Sequence, residues 1–190
     1  TRKTILAYRN HISDDHMSLI DSASAGFLTV LFLISIFANS IFILRQVLNI
    51  NVGLGSDIPA GHSPSIFEAC LHAITASKAL NDGGNSQLSS EVWGYSGASI
   101  SFREAFWLAT GGDGKILNLP TGKLRKGYFV DTMVINTNGH NLDIIIYDDT
   151  TEDILQKLIY NTQRNNICKV CVNGENIYQR GSQRRIDILL

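Results

Sequence analysis

No excess of charge marks this chain: 16 basic residues against 17 acidic ones leave a formal net charge of -1. That balance argues against a general binder of polyanions. Arg180, Arg184 and Arg185 form the only basic cluster, and it reads as a solvated tail. Cysteine is scarce and odd in number, at three, which argues against a disulfide framework and for a reducing, cytoplasmic compartment. No signal peptide is visible, and the opening Thr1-Arg2-Lys3-Thr4 lacks an initiating methionine, so a fragment of a longer chain is expected. Gly111-Gly112-Asp113-Gly114 has neither the strand-turn-helix setting nor the downstream Lys-Ser/Thr of a phosphate loop. It is expected to be a helix stop.

Long apolar runs are also few, with one exception. From Ser22 to Leu44 no residue is charged, and residues 27–44 pass the length and hydropathy test for a membrane helix. The same run also suits a strand buried on both faces, followed by a loop and a helix. Both readings stay open on the residues alone.

What is present is organised around Val52-Gly53-Leu54-Gly55-Ser56-Asp57 and the loop Ile58-Pro59-Ala60-Gly61-His62-Ser63-Pro64-Ser65. An apolar strand ends in a small residue and a carboxylate. A Gly/Pro-rich loop follows, and a helix begins with Ser63 as N-cap and Pro64 at its first position. In α/β sheets and barrels the carboxyl ends of the strands carry the chemistry. Asp57 is therefore a candidate for holding a metal or taking a proton, and equally for capping its loop. Helical spacing of Phe67, Cys70, Leu71 and Ile74 predicts a helix over residues 66–80 packed by that face, with His72 off the stripe and exposed.

Residues 81–97 read as a flexible connection anchored by Trp93 and Tyr95. Ser101 and Glu104 form a capping box for a helix over residues 102–110, ended by the glycine pair. Beyond it come a basic turn (122–127), a strand (128–136), an apolar run (142–147) and a helix (151–160). A hairpin then turns at Asn173-Gly174. Cys168 and Cys171 imitate a Cys-x-x-Cys motif, but residues three apart on a strand face opposite ways and cannot share a metal. His11 and His16, with Asp14 or Asp15, could also be a metal cluster, although a solvated helix start explains all four.

The run from Val52 to Ser65 resembles the last barrel strand and loop of guanine deaminases, members of the amidohydrolase superfamily. The likeness continues through Phe37-Ala38-Asn39-Ser40 and Phe102-Arg103-Glu104-Ala105-Phe106-Trp107-Leu108-Ala109-Thr110, then Gly122 to Asp131 and Tyr160 to Ile167. It implies an α/β chain: the last three strands of a TIM-like (β/α) barrel with part of a small β-sandwich. The expected division is residues 1–112 and 113–190. A complete barrel takes about 250 residues, so this chain of 190 would be the C-terminal half of such an enzyme.

The resemblance further implies a zinc hydrolase of purine catabolism that converts guanine and water to xanthine and ammonia. Asp57 would be a zinc ligand. Tyr8 falls at the family's histidine position beside the attacking water, and a tyrosine is a poor base at neutral pH. The remaining ligands lie on strands absent from this sequence, so the isolated chain is expected to be inactive. The implied partners are guanine or a related purine, with no nucleic acid, and either a homodimer mate or a chain supplying the N-terminal half. A non-catalytic remnant and a membrane-anchored protein with a helix at 27–44 are the alternatives.

Overall fold

A computed structural model describes residues 5–7, 15, 26–30, 51–56, 58, 63–83, 89–139, 141–145, 147–180 and 187–189. The fold is mixed α/β and divides into two compact units, Thr1–Leu119 and Pro120–Leu190. The division falls after Leu119, seven residues beyond the expected boundary at residue 112.

In the first unit, β1 (Ile5–Ala7), β2 (Gly26–Val30) and β3 (Asn51–Gly55) form a parallel sheet in chain order. Ile5 pairs with Gly26 and Gly26 with Asn51, so the strands start level and their carboxyl ends share one side of the sheet, β1 ending two residues before β2 and β3. Parallel neighbours require crossover connections, which accounts for the long segments between these short strands. Strand β2 occupies the start of the apolar run: Phe27 and Leu28 are paired on both sides and Thr29 and Val30 with β3, so this stretch is not the first turn of a membrane helix. Residues 31–44 of that proposed span lie outside the described residues. No helix among the described residues is long and apolar enough to cross a membrane.

Helix α1 (Ile66–Asp82) follows β3. Its N-cap is Ser65, whose hydroxyl accepts from the Glu68 N–H at 3.4 Å; the expected cap, Ser63, instead accepts from the Ser65 N–H at 3.1 Å. The chain leaves Pro64 without entering the helix, so the loop extends two residues further than the proline signal implied. Phe67, Cys70 and Ile74 are buried as the periodicity predicts, joined by Ala69, Ala73 and Ser77. Leu71 and His72 are half-buried. The Ser77 hydroxyl receives the Ile100 N–H at 3.0 Å and donates to the Ile74 carbonyl at 2.8 Å, which satisfies a polar group at zero exposure.

The connection after α1 is held by its backbone more than by its rings. Tyr95 N–H donates to the Leu80 carbonyl and Gly97 N–H to the Asn81 side chain, while Trp93 and Tyr95 stay largely exposed. Ser101 and Glu104 make the full capping box at the head of α2 (Phe102–Trp107). The glycine pair does not stop this helix. The backbone widens into a π-turn over Leu108–Gly112 and continues as α3 (Asp113–Leu117), ending at Asn118 in the left-handed conformation. Gly112 is retained in helical geometry because the Val52 carbonyl and the Trp107 ring crowd it: an added Cβ would sit 3.0 Å from the first and 3.2 Å from the second.

The second unit is an antiparallel sheet in the order β6-β5-β4-β7, with β4 (Thr132–Asn136), β5 (Ile167–Val172), β6 (Glu175–Gln179) and β7 (Asp187–Leu189). The β5–β6 hairpin turns at Asn173-Gly174, with φ of 51° and 79°. Two positive φ values in a two-residue loop are the signature of a type I′ turn. Strand β4 is shorter than the expected 128–136. Phe129 N–H instead bonds the Pro120 carbonyl, and Val130 and Asp131 receive the hairpin's Gly174 and Asn173 N–H groups.

The apolar run at 142–147 forms no strand over its described residues: Leu142, which is buried, and Tyr147 lie in turns, and the irregular stretch after Leu142 has Asp143 at positive φ and the Ile145 N–H bonded to Asp149. Helix α4 (Thr151–Asn161) buries Leu158 and Ile159, with Ile154 and Leu155 half-buried on the same side. Strand β6 is exposed along its whole length, the open edge expected if partner strands are missing.

Candidate active site at the carboxyl end of the parallel sheet

The register of β1, β2 and β3 brings Ala7, Leu28 and Gly53 level, so the segments that leave these strands start from one edge. Tyr8 follows Ala7 in the chain, and Asp57 follows Ser56, which is half-buried just past β3. Tyr8 and Asp57 themselves lie outside the described residues, as do His11, Asp14, His16 and His62. Asp15 is helical and exposed. Among the described residues no group of three or more His, Cys, Asp or Glu side chains could hold a metal ion. Cys168 and Cys171 lie half-buried on β5, are not joined in a disulfide, and belong to no such group.

The charged group that the geometry does single out is Asp113, which the sequence offered only as part of a helix stop. It heads α3 and lies against β3. A Cβ added at Gly53 would stand 1.9 Å from the Asp113 Oδ1 and 2.9 Å from the Ile116 Cδ1, so a larger residue here would force both side chains to shift. The Asp113 carboxyl accepts a hydrogen bond from the Leu54 N–H, yet its Oδ1 is buried without a partner.

Desolvation outweighs that single bond and raises the Asp113 pKa to about 7. The Cys70 thiol on α1 is pushed up to about 12 by burial first and by the neighbouring Asp113 second, so it is no nucleophile at neutral pH. No local motif announces Asp113; the signal lies in Gly53, sixty positions earlier, whose missing side chain makes room for it.

No protein-family model matches the chain. Individual relatives do. A guanine deaminase of Dictyostelium discoideum is 30% identical over 182 residues, covering 92% of this chain and 38% of the relative.

The chain is similar to guanine deaminases.

The human guanine deaminase is 27% identical over 188 residues, covering 93% of this chain and 39% of its own length. The crystal structure of guanine deaminase from C. acetobutylicum with guanine bound in its active site matches with a TM-score of 0.71 and 30% identity. That match covers 93% of this chain and 39% of the other. The likeness thus takes in nearly all of this chain, while the chain spans between 32% and 39% of the length of its curated relatives.

Proposed function

We propose that this chain supplies the closing part of a guanine-deaminase-type hydrolase, a partial α/β barrel with part of a small β-sandwich, that converts guanine and water to xanthine and ammonia. The observation that carries this reading is the likeness to guanine deaminases over more than nine-tenths of the chain, in sequence and in fold together. The aligned carboxyl ends of β1, β2 and β3 support it, since α/β proteins bind their ligands at that end.

Within that reading Asp57 is one ligand of a divalent metal, zinc by resemblance. Zinc takes three or four protein ligands, and the described residues do not fit the ion by themselves. One carboxylate is an incomplete site. Tyr8 offers a hydroxyl that donates a hydrogen bond to a purine or to water, and its ordinary pKa near 10 leaves it protonated at neutral pH, so the base must come from elsewhere. The reaction accordingly needs the part of the fold that this chain lacks, supplied by a further segment or by another chain.

The test is complementation. The purified 190-residue chain is assayed for xanthine formation alone, and again with the portion of the Dictyostelium relative that precedes the matched segment. The chain alone is expected to bind substoichiometric zinc and to form no xanthine. The assembled pair is expected to bind zinc and turn over guanine, and Asp57→Ala to abolish both. A pair that assembles on a sizing column without deaminating guanine overturns the reading. So does turnover that survives Asp57→Ala.

A further inference from the structure

The carboxyl of Asp113 stands where no ionised group is comfortable. Ile116, about 2% exposed, packs beside it against Gly53, its Oδ1 has no hydrogen-bond partner, and its bond from the Leu54 N–H is a single contact. A carboxylate has about four lone-pair sites to satisfy, and leaving such a charge unpaired in an apolar setting costs several times more than burying the neutral acid. Among the described residues, the neighbouring elements offer no cation in compensation. Strands β2 and β3 and the π-turn carry no ionisable side chain over Gly26–Val30, Asn51–Gly55 and Leu108–Gly112. From α1 the group that faces Asp113 is the Cys70 thiol, whose ionisation the two would only oppose in each other. On α3 itself, Lys115 is exposed.

The location gives this group leverage. Strand β3 is an edge of the parallel sheet, and edge strands leave backbone N–H groups without a strand partner. Asp113 takes one of them, at Leu54, while the bare Gly53 lets α3 approach to contact. We propose that the folded chain carries Asp113 as a neutral carboxylic acid that clamps α3 to the edge strand, and that loss of its proton to solvent weakens the clamp.

The first unit is then a proton-sensitive element whose stability falls as the pH climbs toward and past neutrality. The sign follows from linkage: a carboxyl whose pKa is raised to about 7 on folding stabilises fully below its unfolded value of 3.8. That stability is lost as pH rises through the folded value. The inference concerns the chain by itself; a strand added beside β3 in a completed barrel would compete for the same backbone N–H groups.

Both tryptophans, Trp93 and Trp107, lie in this unit, so their fluorescence reports on it alone. Denaturant unfolding of the full chain is followed by that signal from pH 5 to pH 8.5, for the natural sequence and for Asp113→Asn. A raise to about 7 corresponds to roughly three decades; discounted for the partial exposure of Asp113, the folding constant is expected to fall on the order of tenfold to a hundredfold across the range. Asp113→Asn, neutral at every pH, is expected to flatten that slope and to be the more stable form at pH 8.5. Parallel pH profiles for the two proteins overturn the proposal. Should Asp113→Asn fail to fold, the carboxyl carbon resonance of Asp113 in the natural chain decides. A midpoint near neutrality supports the clamp, and one near the ordinary value of about 3.9 sinks it.

Discussion

The two units handle buried and exposed carboxylates in opposite ways. In the first, Asp113 is pressed against a strand with one hydrogen bond and a raised pKa. In the second, Asp131, Asp149 and Asp153 all titrate below the ordinary range, each because donors surround it. Asp131 receives the Asn173 N–H and then the Thr121 hydroxyl; Asp149 receives Lys157 at 2.9 Å and the Ile145 N–H; Asp153 bonds Thr150 twice over in its capping box. The contrast follows from topology. An antiparallel unit closed by local turns has loop N–H groups to spare near its acids, whereas a parallel sheet covered by helices presents a dry wall.

The largest break in that comparison comes from the cores. Leu108→Ala and Leu158→Ala remove side chains at 0% and 1% exposure, and each is expected to cost about 2–5 kcal/mol. Tryptophan fluorescence should record the first directly, and amide exchange across β4 and β5 the second. Next in size, Gly53→Ala drives a methyl into the Asp113 carboxyl and the Ile116 methyl, with an expected cost of about 1–3 kcal/mol in the first unit. Loss of less than about half of that in denaturant melts would show that α3 can step away from β3 freely.

The caps then compare like with like. Ser101→Ala and Thr150→Ala each delete the hydroxyl of a complete capping box, one per unit, and about 1 kcal/mol is expected from each. The smallest effect sharpens the carboxylate contrast itself. Asp131, Asp149 and Asp153 have lowered folded values, so what they contribute is present above their unfolded pKa and is lost as pH falls through the folded one. All three are exposed enough for salt to screen them, so acid should loosen the second unit only slightly while it favours the first. Amide exchange at pH 4 and pH 7, read unit by unit, checks the opposite signs.

Much of this architecture could be read ahead of the coordinates where the signal is local. The Ser101–Glu104 box, the Asn173-Gly174 turn and the Phe67-Cys70-Ile74 stripe each need only a few neighbouring residues, and each is found as read. Locality also explains the misses. Pro64 fits the first turn of a helix, yet the loop from β3 sets where α1 can begin, and the cap moves to Ser65. Gly111-Gly112 has the composition of a stop, but packing against Val52 and Trp107 holds the pair inside a continuing helix. Of the candidate site, the strand that leads to Asp57 and the strand that leads to Tyr8 flank β2 in one sheet, while both side chains fall outside the described residues.

The amino-acid order by itself therefore determined the Ser101–Glu104 box, the Asn173-Gly174 turn, the buried face of α1 and the likeness to guanine deaminases, because these are written in short spacings and in residue identity. Only the folded chain decided that Gly53 and Asp113 meet. Their encounter depends on a helix closing over a distant strand, and the cost of a carboxylate depends on everything that surrounds it in space.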